Sequence, residues 1–200
     1  MSMNKHFFIL LGRSGSGKGT QAALLKSYLE NKGAEKVLHV TTGGGFRDFI
    51  QSGGYIANHA KEVNNTGGLQ PEFLAVWNWA NLFITTLKGG ETIILDGAPR
   101  KPFEASILHS AITFLEYPKP TVIYLDVSES GSREHIKGRG REDDKNEDDV
   151  TSRMNWFETH VLPTLEVYLN DPRYNILHIN GNQTINEVHQ EILEKLSGIV

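Results

Sequence analysis

Cysteine is absent from the 200-residue chain, which excludes a disulfide framework, a thiolate zinc site and a cysteine nucleophile. An excess of one charge is missing too. Twenty basic residues face 24 acidic ones, a formal net charge of −4, so a general polyanion-binding surface, and with it nucleic acid as a partner, is not expected. Long hydrophobic runs are lacking. The first apolar run, residues 7–11, ends in Gly12-Arg13 and is too short for a signal-peptide core or a membrane span. A cytoplasmic protein with no membrane partner is the expectation. Only seven prolines accompany 20 glycines, and 38% of residues are hydrophobic, which excludes collagen and argues against a disordered chain. The length fits one domain over residues 1–200, with neither internal repeat nor linker. Each glycine adds backbone entropy that folding must remove, so twenty of them need a reason.

Short apolar runs at 7–11, 37–40, 92–95, 122–125 and 175–179 read as strands buried on both faces. Helical patterns separate them at 18–31, 71–88, 103–115, 147–170 and 184–196, with Pro71 as a first-turn residue and Gly33 and Gly89 as stops. Pro163 predicts a kink or break in the long fourth helix. This alternation implies right-handed crossovers and a five-stranded parallel sheet in an α/β fold. Two segments interrupt it. Residues 41–70 read as a glycine-rich turn, a short helical pattern and a second turn, and residues 138–149 are almost devoid of apolar side chains. Long connections of this kind are often lids or binding loops.

Directly after the first strand stands Gly12-Arg13-Ser14-Gly15-Ser16-Gly17-Lys18-Gly19-Thr20. It matches the G-x-x-x-x-G-K phosphate loop between a strand and a helix. Glycines let successive N–H groups close around a polyphosphate, the helix N-terminus adds its dipole, and the Lys18 ammonium reaches the β- and γ-phosphates. The hydroxyl follows one residue late, at Thr20 behind Gly19. That form, Gly17-Lys18-Gly19-Thr20-Gln21, resembles the P-loop nucleoside monophosphate kinases, and the adenylate kinase family of short-lid type above all. Ser14 stands where that family usually carries proline.

The resemblance extends over nearly the whole chain. Asp96-Gly97-Ala98-Pro99-Arg100 is similar to the family's Asp-Gly-Phe-Pro-Arg, and Thr41-Thr42-Gly43-Gly44-Gly45-Phe46-Arg47 to its Ser-Thr-Gly-Asp-x-x-Arg, with Gly44 in place of the aspartate. It implies that Thr42 contacts the acceptor nucleotide, that Arg47 and Arg100 hold its phosphate, and that Gly68, Leu69 and Gln70 wall its base. Asp96 would orient Mg²⁺ through its water shell. Glu104 stands where the family has a base-reading glutamine. An ionised carboxylate only accepts hydrogen bonds, so it suits guanine or cytosine better than adenine N1; the alternative is an exposed helix residue. Thr42 favours AMP.

Arg139, Arg141 and Arg153, with Asp143 and Asp144, resemble the family's lid pattern. Phosphoryl transfer needs positive charge around the migrating group and exclusion of water, which arginines on a closing segment supply. His135 stands where an arginine often stacks on the donor base, implying a looser donor-base site, and Gln183 resembles the loop against the ATP adenine. Zinc is not implied, since the lid carries no cysteines. His39 and His178 fall in strand patterns, where a satisfied buried imidazole is expected. Trp77 and Trp79 read as packing or acceptor-lobe wall.

The resemblance thus implies a three-layer P-loop fold with an acceptor lobe at 41–70 and a short lid at 138–149. The implied enzyme is monomeric and transfers the γ-phosphoryl group of Mg·ATP reversibly to AMP. The alternatives are a UMP/CMP or GMP kinase, or a nucleotide-binding regulator that has lost catalysis. Lys18, Asp96, Arg100, Arg139, Arg141 and Arg153 are the candidate catalytic set. Gly15, Ser16, Gly17, Lys18, Gly19, Thr20, His135, Arg139 and Gln183 are the candidate ATP contacts. For the monophosphate they are Thr42, Arg47, Gly68, Leu69, Gln70, Gly97, Arg100, Glu104, Arg141 and Arg153.

Overall fold

The structure is a computed structural model that describes residues 5–34, 36–140, 144 and 146–199. Apolar side chains fill β1 (Phe7–Gly12), and every residue of it is buried, the mark of a strand covered on both faces. It lies at the centre of a five-stranded sheet completed by β2 (Val37–Thr41), β3 (Thr92–Asp96), β4 (Thr121–Asp126) and β5 (Asn175–Asn180). The order is β2-β3-β1-β4-β5 and all four pairings are parallel.

The helices are α1 (Lys18–Asn31), α2 (Thr42–Ser52), α3 (Tyr55–Asn65), α4 (Glu72–Thr86), α5 (Pro102–Phe114), α6 (Glu129–Arg139), α7 (Glu147–Trp156), α8 (Leu162–Leu169) and α9 (Ile185–Leu196). Alternation along β1 sorts them into layers. Phe7, Ile9 and Leu11 pack with Trp79 and Phe83 of α4, Leu108 and Ile112 of α5, and Leu165 and Tyr168 of α8. Phe8 and Leu10 point to the other face, against Leu25 and Leu29 of α1 and Val188 and Ile192 of α9. Each such side chain contributes roughly 1.5–3 kcal/mol of burial, so the sheet and its two helical layers are a rigid base. Strand β1 sits where the direction of crossover reverses, which opens a crevice beyond the carboxyl ends of β1 and β3.

The five expected strands form within a residue of their expected ends, and α1 spans its expected range. Two local readings need correction, and the break expected in the long fourth helix is found. Gly43, Gly44 and Gly45 lie inside α2 rather than in a turn. A Cβ on Gly45 would stand 2.3 Å from Asn78 Oδ1, so glycine here permits close packing of α2 on α4. The pattern 147–170 divides at a π-helical turn, Phe157–Val161. Pro163 lacks an N–H and its ring crowds the carbonyl four residues back, so the turn before it widens. Helix α6 carries only two buried residues, Ser132 and Ile136, and its sequence offered no apolar stripe to announce it.

Candidate active site

The turn from β1 into α1 builds the first half of the site. Gly17 caps α1 at φ +85° and no side chain satisfies the first-turn amides, which a bound anion can then accept. Gly15 also has positive φ, and a Cβ there would stand 2.4 Å from the Ser132 carbonyl oxygen of α6. Helix α6 thus backs the loop closely enough to exclude any larger residue. The Lys18 ammonium donates to the carbonyls of Gly12 (2.9 Å) and Arg13 (2.7 Å). Behind the loop, Arg13 pairs with Glu158 and lies 4.2 Å from the Phe157 ring centroid. His135 approaches the loop as well: Nδ1 is 2.9 Å from Gly15 O, so its ring is held against the phosphate loop.

The second half is a side-chain network. Thr42, at the start of α2, is buried and its hydroxyl donates to Asp96 O at 3.3 Å, while Asn78 of α4 donates to Thr42 O at 2.8 Å. Arg100 donates from Nε to Gly97 O at 2.7 Å. Burial pushes the Arg100 guanidinium below its ordinary value; the Glu104 and Asp96 charges oppose this, and Arg153 lowers it further. An arginine remains charged under such shifts, so Arg100 and Arg153 form a cationic pair suited to a shared anion. Glu104 is 3% exposed; the exposed-helix alternative is therefore wrong, because α5 turns this residue inward beside α4. Its Oε2 accepts from the Arg100 amide at 2.7 Å and Oε1 from Trp79 Nε1 at 3.2 Å. Burial raises its pKa, outweighing the opposing pull of those donors and of the Arg100 charge.

Asp144 ties the third part together. Its buried carboxylate accepts from Arg139 Nη2 and from Arg153 Nη1, both at 2.8 Å. Burial alone would raise its pKa, but hydrogen bonds and charge from Arg139 and Arg153 win and lower it. One carboxylate therefore aligns two guanidinium planes. Arg141 and Asp143 lie outside the described residues.

These parts surround one cavity of about 910 Å³. Its walls include Gly15, Ser16, Gly17, Lys18, Gly19, Thr20, His135, Arg139 and Gln183 of the expected donor contacts. They also include Thr42, Arg47, Gly68, Leu69, Gln70, Asp96, Gly97, Arg100, Glu104 and Arg153. Every expected site residue that is described lines this space. Trp156 lines it too and escaped the sequence reading, which placed it only within a long helix; its spacing three residues after Arg153 was the available signal. Trp79 is buried and Trp77 is 42% exposed against Phe49 of α2. The two strand histidines depart from expectation. His178, on the edge strand β5, is exposed and pairs with Asp126 at 2.8 Å. His39 Nε2 is buried without a hydrogen-bond partner, 3.9 Å from Asp96 Oδ2.

Among the described residues no group of three metal-ligating side chains occurs, and no helix is long and apolar enough to cross a membrane. Of the carboxylates on the cavity wall, Glu72, Asp96, Glu104 and Glu134, it is Asp96 that lies beside the phosphate loop, 3.5 Å from where a Cβ on Gly19 would stand, and the hydroxyl of Thr20 shares that wall. That sparse set fits a hard ion such as Mg²⁺, which keeps most of its ligands as water and phosphate.

Comparison with known proteins agrees with this geometry. The adenylate kinase family model matches residues 10–172. An adenylate kinase of Prochlorococcus marinus is 31% identical over 196 residues, covering 98% of this chain and all of the relative. Adenylate kinase of Xanthomonas campestris pv. campestris is 33% identical over 193 residues, 94% of this chain and 97% of the relative. Adenylate kinase 2 of Nostoc sp. is 34% identical over 191 residues, with the same two coverages. With a phosphate loop, an arginine-lined cavity and relatives matched nearly end to end, the chain belongs to the adenylate kinase family.

Proposed function

We propose that the protein is a nucleoside monophosphate kinase that moves the γ-phosphoryl group of Mg·ATP reversibly onto AMP, giving two ADP. The observation that carries this reading is the meeting of the phosphate loop with Arg47, Arg100, Arg139 and Arg153 around one cavity. A hydrolase would need an oriented water; a kinase needs two phosphate subsites and positive charge between them.

The loop amides and Lys18 hold the donor phosphates. Arg47 and Arg100 hold the acceptor phosphate, and Arg139 and Arg153, aligned by Asp144, stabilise the charge that spreads over the migrating group. Arg141 joins them in this reading. No general base is required, since a phosphate acceptor is already ionised at neutral pH. Mg²⁺ enters with ATP; Thr20 and, through water, Asp96 would hold it, and the ion neutralises phosphate charge. Residues 41–70, which fold as α2 and α3, serve as the acceptor lobe, and residues 138–149 as a short lid that excludes water on closing. His135 and Gln183 lie on the donor-base side. Gly68, Leu69 and Gln70 wall the acceptor base, with Thr42 favouring AMP. Glu104 faces the same cavity, although each of its oxygens already holds a donor from the chain. The reading carries with it a monomeric, cytoplasmic enzyme.

A coupled assay of ATP against AMP, GMP, CMP and UMP tests it, with Lys18→Ala as the control. Preferred turnover of AMP that vanishes in the control is the expected result. Turnover of another monophosphate in preference to AMP contradicts the acceptor assignment, and ATP binding with no turnover on any of them contradicts the kinase.

A further inference from the structure

Trp156, the last residue of α7, touches two parts of the acceptor side at once. Its ring lies 5.2 Å from the Arg100 guanidinium carbon, measured to the centroid, within the range of a cation–π contact. Its indole Nε1 donates to Gly67 O at 3.0 Å. Gly67 opens the Gly67-Gly68-Leu69-Gln70 segment that walls the acceptor side of the cavity. That contact is tight by construction. Gly67 has φ +62°, and a Cβ on it would stand 2.5 Å from Asp149 O of the same helix α7. The segment therefore sits flush on α7, a fit only glycine allows.

Helix α7 reaches further. Arg153, one turn before Trp156, is joined to Asp144. Phe157, the next residue, is fully buried under Arg13 of the phosphate loop, and Glu158 pairs with that arginine. Trp156 is thus held between an anchored arginine contact on one side and an anchored aromatic on the other. An indole in that setting has little freedom to follow Arg100 or Gly67; both must come to it.

We propose that Trp156 is a positioning residue for the monophosphate: its ring face orients Arg100 and its N–H docks the 67–70 segment, so the acceptor phosphate and base subsites are aligned together. The inference rests on the proposed kinase reading and adds a residue which that reading does not use. Trp156 touches no reacting atom. Its effect is on acceptor binding, with the donor site and the chemical step left alone.

The two contacts can be removed separately. Trp156→Phe keeps the ring face and deletes the N–H; Trp156→Leu deletes both. With the monophosphate that the unaltered enzyme turns over best, the acceptor KM should rise about 3-fold in Trp156→Phe and about 10-fold or more in Trp156→Leu, from the sizes of a neutral hydrogen bond and a partly desolvated cation–π contact. The ATP KM and kcat should stay within about 2-fold, and the melting temperature of Trp156→Phe should match that of the unaltered chain. Unchanged acceptor KM in both variants overturns the proposal. So does an equal rise for ATP and monophosphate, which marks a merely structural role. If the unaltered enzyme turns over no monophosphate at all, the kinase reading falls and this inference falls with it; turnover with unmoved KM ratios removes this inference alone.

Discussion

The donor and acceptor halves of the cavity are built by different means. On the donor side, backbone does the work: a glycine-rich turn between the central strand and α1 aims amides at a phosphate, with Lys18 folded over the loop. On the acceptor side, side chains do it. Thr42, Asn78, Trp79, Arg100, Glu104 and Trp156 come from several helices and loops and contact one another far along the chain, and Trp156 reaches Gly67 across 89 residues of sequence. Backbone chemistry tolerates little variation in the loop, where the α6 backbone at Ser132 crowds Gly15, but it asks for no particular side chain from its neighbours. A side-chain network can absorb a change at one point if another point changes too. Glu104 illustrates this. Both of its partners are N–H donors, so a carboxylate, which only accepts, fits where an amide would set donor against donor.

The contrast can be broken at four places, in decreasing order of effect. Lys18→Ala removes the donor-side charge, and kcat/KM should fall about 10²–10³-fold for every acceptor alike; a loss confined to one monophosphate contradicts the donor assignment. Arg100→Lys keeps the charge and loses the planar fork. The acceptor KM should rise about 10- to 100-fold, equivalent to about 1.5–3 kcal/mol of charge-assisted hydrogen bonding, with the ATP KM unmoved. Asp144→Asn releases Arg139 and Arg153 from their common anchor, and kcat should drop about 10-fold while both Michaelis constants move less.

That substitution also has a pH signature. The folded Asp144 carboxyl lies below its ordinary value, so its contribution is present above the usual aspartate range and is lost as pH falls through the folded value. Asp144→Asn should therefore flatten the acid limb of a melting-temperature profile. Glu104→Gln should have the smallest effect and the opposite sign. Burial raises the Glu104 pKa, so the unaltered chain loses stability relative to the variant as pH climbs from the usual glutamate range through the folded value. Melting curves of the two proteins across mildly acid to neutral pH check this; a gap that moves the other way means that Glu104 is not a desolvated carboxyl.

The same division explains what could be read from sequence. The strand, loop and helix at residues 7–31 are local: periodicity marks the strand, glycines the loop, and the apolar positions the helix. Thr184 and Glu187 likewise form the capping box that starts α9. The glycines at 43–45 misled because the constraint on them is close packing and not a turn: a Cβ on Gly45 would strike Asn78 of α4, and one on Gly44 the Thr41 hydroxyl. Helix α6 was missed because ion pairs hold it in place of an apolar stripe, with Arg133 bridging Glu129 and Glu147. Pro163 was legible as a disturbance, but the π-helical turn it imposes lies up to six residues earlier. Trp156 had only its spacing after Arg153 to mark it; the folded chain is what brings it to Arg100 and Gly67.

The central claim is that donor and acceptor phosphates share one cavity, and the fate of the transferred group tests it most directly. In a single turnover with γ-labelled ATP, Mg²⁺ and AMP, the label should appear in ADP, and Lys18→Ala should leave it in ATP. Label released as inorganic phosphate, or label still in ATP with the unaltered enzyme, would contradict the account.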